Sequence, residues 1–135
     1  WRKHIWNDLK ARMDWCVEPF NKANHRPNAV INGDTSNEVL KAKYNYEETV
    51  TLDATGSNDP DGDTLSYKWW VYPEAGKKPY DKPVVIENDT QIKTTFKIPK
   101  DAATKELHVI LEVYDNSKIV PLIDYKRMVI IVTNY

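Results

Sequence analysis

The sequence predicts an all-β fold, an antiparallel sandwich of about seven strands preceded by one short helix. Three observations support this prediction. Apolar and polar residues alternate along several segments, which is the period of a half-buried strand. Turn-forming residues separate these segments roughly every ten positions. Trp69 falls within the third segment, where sandwiches of this kind place a central core tryptophan.

The predicted helix occupies the first 17 residues. Ile5, Leu9 and Met13 recur every four positions with Trp6 beside them, so they form one apolar face of a helix. Pro19 ends the helix, because proline disfavours the helical conformation in the residue before it.

The N-terminal helix is too short to form a core alone, so it is either the last helix of a preceding domain or a strap packed on the β region. We assign residues 1–22 to the helical tail of a preceding domain plus linker, and residues 23–135 to the sandwich. The abrupt start at Trp1 leads us to expect a fragment of a larger protein.

The β region begins after Pro27. Trp69 and its apolar neighbours at alternate positions share the face predicted to be buried, and Trp70 and Tyr72 point the other way. The predicted strands are residues 29–31, 49–53, 65–72, 84–86, 92–98, 107–114 and 125–133.

Composition excludes several classes of protein. The 19 basic and 20 acidic residues give a net charge of −1, so we expect neither nucleic acid nor an anionic membrane surface as a partner. The longest apolar run, Met128 to Val132, is far too short to span a bilayer. Cys16 is the single cysteine, which excludes a disulfide framework within the chain, and we expect its thiol to be buried.

Three carboxylates, Asp59, Asp61 and Asp63, stand at alternate positions in a turn-rich loop. A sandwich brings this loop and Asp115 to the same end, and the linker at residues 24–27 should run beside them. Calcium binds clustered oxygen ligands of this kind, so these four aspartates are a candidate calcium site. A cation there would stiffen the joint between a preceding domain and the sandwich. The alternative is that they form hydrogen-bonded turns and stay solvated.

An aromatic cluster is predicted on the outer face of one sheet. Flat rings there could serve as a platform for sugar rings. Alternatively the helix or a preceding domain covers the cluster, and we favour coverage because the apolar face of the helix needs a partner. The expected members are Trp70, Tyr72, His108, Ile110 and Tyr114, joined by Met128 and Ile130.

No catalytic constellation is evident. The three histidines, His4, His25 and His108, lie on three different elements and pair with no nucleophile. Four glycines in the whole chain provide no phosphate-binding loop. The chain is therefore predicted to be non-catalytic.

Several motifs carry a family resemblance. The run from Thr49 to Trp69 resembles the PKD-type immunoglobulin-like domains of secreted and surface proteins. Its continuation from Trp69 to Gly76, with Asn24 to Pro27 before it and Leu107 to Val113 after it, looks like the C-terminal domain of a bacterial family described as cellulose-binding. In that family the domain follows a nucleoside-hydrolase-like domain, and Arg12 to Cys16 is similar to the end of that domain.

The resemblance implies an immunoglobulin/PKD-like sandwich in a secreted or periplasmic carbohydrate-processing protein. The module would hold the hydrolase-like domain in place and bind a cellulose-like polysaccharide weakly. The alternatives are a purely structural interdomain module with no ligand and a calcium-stabilised joint. Solvent exposure of Trp70 separates glycan binding from a structural role, because a ring buried under the helix supports the latter.

Overall fold

The computed structural model describes residues 1–73 and 75–134. In this part of the chain a helix is followed by strands in two sheets, with 3-10 turns at Phe20–Lys22 and Lys100–Ala102. The helices and strands are α1 (Arg2–Val17), β1 (Leu40–Asn45), β2 (Thr49–Asp53), β3 (Leu65–Tyr72), β4 (Lys93–Lys97), β5 (Glu106–Asp115) and β6 (Ile123–Thr133).

The strands form two layers around one core. One sheet has the order β1-β6-β5-β3 and the other consists of β2 and β4. All pairs are antiparallel except β1 with β6, which run parallel. The predicted fold class, a mostly β sandwich with one short N-terminal helix, is confirmed; the described residues contain six strands, and one pair departs from the antiparallel pattern.

Trp69 lies at the centre of the core and is 1% exposed. Its indole Nε1 donates a hydrogen bond to the Gln91 carbonyl at 2.9 Å, so the one polar atom of the ring is satisfied. Alternate residues of the long strands pack around it, as the period of two requires. They include Leu107, Val109, Leu111 and Val113 from β5 and Met128, Ile130 and Val132 from β6.

Two short strands predicted from the sequence are absent, and one strand was missed. In residues 29–31 only Ile31 forms an isolated bridge, with Asp34. Residues 84–86 join no ladder, although Ile86 is buried. Their apolar side chains therefore reflect burial and not strand pairing. The missed strand is β1, where lysines break the apolar pattern; its parallel pairing with β6 makes it a strand.

The helix ends where the sequence predicts. Glu18 has extended backbone angles, φ −103° and ψ 149°, directly before Pro19. At 16 residues α1 is shorter than the roughly 20 apolar residues that a bilayer crossing needs, and the described part of the chain has no candidate membrane-spanning helix.

The helix packs on the sandwich through a small and polar side. Ala11 is fully buried and forms a cluster with Val120 and Leu122. Asn7 Nδ2 donates to the Pro121 carbonyl at 2.9 Å, and Trp15 Nε1 donates to the Asn24 carbonyl at 2.6 Å. Because Ala11 is small, this side of the helix can approach the loop between β5 and β6 closely, and it is the side that faces the sandwich.

The apolar face of the helix points to solvent. Ile5, Leu9 and Met13 are 65%, 45% and 63% exposed. The prediction that this face packs against the outer aromatic cluster is therefore wrong, because the opposite side of the helix is the buried one. Cys16 is exposed as well, which contradicts the expected buried thiol; its Sγ donates to the Arg12 carbonyl at 3.4 Å.

Replacing Trp69 with alanine should lower the free energy of unfolding by about 3–5 kcal/mol, the range for large aromatic residues in cores. Urea unfolding followed by circular dichroism measures this change. Trp6→Ala is the matched control, because Trp6 is 64% exposed and its removal leaves no cavity. Equal effects of the two substitutions would contradict the placement of Trp69 at the centre of the core.

Candidate functional site

The outer face of the four-stranded sheet carries the candidate site. Trp70 lies opposite Ile110, which lies opposite Arg127, and Glu112 lies opposite Tyr125 in the next row. Residues directly opposite one another in paired strands project on the same face. The tryptophan, the arginine and the tyrosine therefore share one surface, on the side of β3 away from the core.

Met128 and Ile130 do not belong to this face. Val109 lies opposite Met128 and Leu107 lies opposite Ile130, and all four side chains are in the core. Their predicted place on the outer face is therefore wrong. The sequence misled because β6 is apolar on both sides, so alternation alone does not show which set is buried.

A cavity of about 840 Å³ opens on this face. Residues 36–39 line it together with four aromatic side chains, Trp1, Trp70, Tyr72 and Tyr125. We call the space defined by these four rings the aromatic groove. Its polar lining carries both charges, from Arg26, Lys126 and Arg127 and from Glu38 and Asp124.

The rings of the aromatic groove form two pairs. Trp1 stacks on Tyr125 with centroids 5.5 Å apart and an interplanar angle of 23°. Trp70 and Tyr72 meet edge to face with centroids 5.6 Å apart. The Trp70 Nε1 donates to Glu112 Oε1 at 3.3 Å, which fixes the orientation of the indole.

The Glu112 carboxylate acts on two tyrosines beside the aromatic groove. Tyr114 donates its hydroxyl proton to Glu112 Oε2. Burial, and then the Glu112 carboxylate, raises the pKa of Tyr114 well above its usual range. The same two causes raise the pKa of Tyr125. Both phenols are therefore neutral at neutral pH. The hydroxyl proton of Tyr114 is held by Glu112, and Tyr125 keeps its own hydroxyl proton.

The structure separates the predicted members of the aromatic cluster. Trp70 is half-buried and Tyr72 is 38% exposed, and both line the aromatic groove. Tyr114 is also half-buried, with the His4 ring of α1 beside it at 5.9 Å between centroids. The helix thus covers the Tyr114 end of the face, and the expectation that it covers Trp70 and Tyr72 is wrong.

His108 lies on the same side of the sheet but is buried. A Cβ at Gly76 would lie 2.7 Å from His108 Nε2 and would also meet the Glu106 carboxylate. Gly76 has φ +102°, so both its conformation and its close approach require glycine. His108 therefore supports the loop above it and does not contribute to an open surface.

Trp1, Tyr125 and Arg127 belong to the site but were not predicted from the sequence. Tyr125 and Arg127 alternate with core residues of β6, so a correct register would have found them. Nothing in the sequence signals Trp1, because its position depends on how α1 docks.

Two of the four predicted aspartates contact the linker, Asp61 through His25 and Asp115 through Asn24. Asp59 Oδ1 accepts hydrogen bonds from the backbone N–H groups of Asp61 and Asp63 at 2.8 and 3.1 Å. Asp61 accepts from the His25 N–H at 2.6 Å and lies 2.9 Å from the His25 ring Nδ1. The Asp59 contacts are local hydrogen-bonded turns of the kind that the alternative predicts. The Asp61 contacts instead join the loop to the linker.

Asp115 is buried in the same region. It accepts hydrogen bonds from Asn24 Nδ2 at 2.6 Å and from the Leu122 N–H at 2.8 Å. Burial raises the pKa of the Asp115 carboxyl, although these hydrogen bonds favour its ionised form. Asn24 also donates to the Val120 carbonyl at 2.8 Å, so this pair joins the linker to the loop between β5 and β6.

Geometry gives limited support to calcium. Within residues 1–73 and 75–134, no three His, Cys, Asp or Glu side chains are grouped so as to hold a metal ion. The buried Asp59 Oδ2 has no hydrogen-bond partner among those residues and is the oxygen best placed to accept a cation. The calcium site stays a prediction.

Comparison with known proteins gives two matches. Residues 49–132 match a family model described as cellulose-binding protein Sde0182, C-terminal domain. The chain is also similar, at 40% identity and a TM-score of 0.91 over 96% of its length, to a solved nucleoside hydrolase-related hypothetical protein from Saccharophagus degradans, described as associated with carbohydrate metabolism. It spans 31% of the length of that protein. No curated protein matches the chain.

The calcium hypothesis is tested by melting the protein in millimolar calcium and in chelator. A cation that binds only the folded state raises stability by mass action, about 2.7 kcal/mol at a hundredfold excess over its dissociation constant. Calcium should therefore raise the melting temperature, and Asp59→Asn and Asp61→Ala should each remove the difference. Coincident melting curves for the unmodified protein in calcium and in chelator would contradict the calcium hypothesis. The alternative, hydrogen-bonded turns without a cation, would then stand.

Proposed function

The chain belongs to the family of the cellulose-binding protein Sde0182 C-terminal domain, and on that basis we propose that it is a non-catalytic carbohydrate-binding module whose aromatic groove holds a glycan. The module would serve a longer, secreted or periplasmic carbohydrate-processing protein. Any hydrolysis would belong to another domain of that protein.

The aromatic groove is the observation that supports this proposal most directly. Pyranose rings have apolar faces, which stack on flat aromatic side chains, and hydroxyl groups at their edges, which need hydrogen-bond partners. Trp70, Tyr72, Tyr125 and Trp1 offer such side chains. Arg127 and Glu38 line the same cavity and supply a donor and an acceptor.

The charge of the groove favours a neutral sugar over an anionic ligand. Three basic residues and two acidic residues line the groove: Arg26, Lys126 and Arg127 with Glu38 and Asp124. Two of the basic groups are already paired, Arg26 with Asp8 at 2.7 Å and Lys126 with Asp34 at 3.3 Å. A nucleic acid would need a continuous basic surface, which the mixed signs here do not provide. Uncharged hydroxyl groups can use both the donors and the acceptors of this lining.

We expect weak binding, because two of the rings that line the groove are exposed. Trp1 is 78% exposed and Tyr72 is 38% exposed, so a sugar stacked there stays partly in contact with water. Partial burial provides little free energy beyond the cost of association. A module of this kind gains useful retention when it is tethered to a domain that acts on the same polymer.

Trp70→Ala should weaken binding to soluble cello-oligosaccharides by about tenfold, which corresponds to about 1.4 kcal/mol. The physical reason is the loss of the central ring of the groove and of the neighbour that orients Tyr72. Isothermal titration calorimetry measures the affinity, and a pull-down on insoluble cellulose measures retention. A melting curve of the variant checks that it remains folded.

Trp6→Ala is the matched control, because Trp6 is an exposed tryptophan on α1 that does not line the groove. It should leave both measurements unchanged. Failure of the unmodified protein to bind any soluble or insoluble glucan would contradict the proposal and favour the purely structural module. Equal loss in the two variants would place the sugar elsewhere on the molecule.

A further inference from the structure

Helix α1 packs on the sandwich through its small and polar side and exposes its apolar side, the reverse of the usual arrangement for a surface helix. The side that meets the sandwich contains the fully buried Ala11 with Asn7 and His4. The opposite side consists of large apolar residues in contact with solvent. We call this side the apolar stripe and define it as Ile5, Trp6, Leu9, Met13 and Val17, all of which are exposed.

The spacing of the apolar stripe makes it one continuous surface. At about 100° per residue, these five side chains fall within about one third of the helix circumference, centred opposite Ala11. Scattered apolar residues on a protein surface are ordinary, whereas a contiguous group of this size marks a contact site. The stripe therefore has the form of half an interface.

We infer that the apolar stripe is the docking surface for a domain that precedes this one in a longer polypeptide. The matched family describes a C-terminal domain, and α1 lies before residues 49–132, to which that description applies. The similar Saccharophagus degradans protein covers 96% of this chain, so its matched region extends into the helix, and more than two thirds of that protein lies outside the match, which takes up 31% of its length. The helix is thus positioned between the sandwich and the rest of such a protein.

The charges beside the stripe indicate what kind of partner surface would be complementary to it. Arg2 and Lys3 are exposed at the first turn of α1, next to the N-terminal end of the stripe. A complementary surface is apolar at its centre and acidic at the rim that meets these two residues. This complementarity orients the partner along the helix axis.

Contacts on the other side of α1 would make the docked assembly rigid. Trp15 stacks on the His25 ring with centroids 5.6 Å apart, and Phe20 stacks on the same ring at 3.9 Å. Asp8 pairs with Arg26 at 2.7 Å. A helix fixed to the sandwich on one side and to a second domain on the other would hold the two domains in one relative orientation. Trp1, which directly precedes the helix and lines the aromatic groove, would be held in place with it.

The test compares the double variant Ile5→Lys/Met13→Lys in two forms of the protein, the 135-residue chain and the longer polypeptide with its preceding domain. Lysine keeps a high helix propensity, and both positions are exposed, so the 135-residue chain should keep its melting temperature. In the longer polypeptide, cleavage of the interdomain segment in limited proteolysis should become at least tenfold faster. Val85→Lys, at a site that is 81% exposed and lies outside the helix, is the control and should change neither result.

Three results would overturn the inference. One is an unchanged cleavage rate in the longer polypeptide, and another is a gene that encodes no preceding domain. The third is a concentration-dependent dimer of the 135-residue chain in sedimentation equilibrium that the double variant abolishes, which would make a second copy the occupant. In the 135-residue chain, glycan affinity should not change, because neither substituted residue lines the aromatic groove. Measuring affinity in that form keeps the test separate from that of the proposed function.

Discussion

The burial of Trp69 between the two sheets is the constraint on which the rest of the structure depends. Side chains alternate along a strand, so the inward position of Trp69 places Trp70 and Tyr72 outward on the same strand. The register of β3 with β5, and of β5 with β6, then determines which residues of those strands face outward. In β6 these include Tyr125 and Arg127. The aromatic groove is therefore a consequence of core packing, since one residue of register change would bury its rings.

The second determinant is the buried joint that ties the linker to the sandwich. Asn24 bridges the Asp115 carboxylate and the Val120 carbonyl, and His25 lies against Asp61. An unsatisfied polar group at such a buried position would cost about 1–3 kcal/mol, so these bonds hold the linker in one path. That path brings α1 back over the sheet, where Trp1 stacks on Tyr125 and completes the groove.

The helix links the two surfaces that we interpret functionally. Its inward side uses Ala11 and Asn7, whose small size and polar reach allow close packing on the sandwich. Its outward side is the apolar stripe, which does not pack on the sandwich and can contact a second domain. One element thus bounds the proposed glycan site at its N-terminal end and carries the inferred docking surface along its length, so changes in interdomain contact would act on the groove through Trp1.

Local sequence pattern was enough to predict the fold class, the limits of β2 and β3, the end of α1 before Pro19 and the inward position of Trp69. These features depend on periodicity and backbone restriction, which neighbouring residues dictate. The folded chain was needed to establish which side of α1 is buried, which face of β6 is outward, that β1 is a strand, and that Trp1 joins the site. Each of these depends on pairing or packing between segments far apart in the chain. Local pattern gives no information about the partner where both faces of an element are apolar, as in β6, or neither is, as in β1. It misleads where an apolar face points away from the sandwich, as in α1.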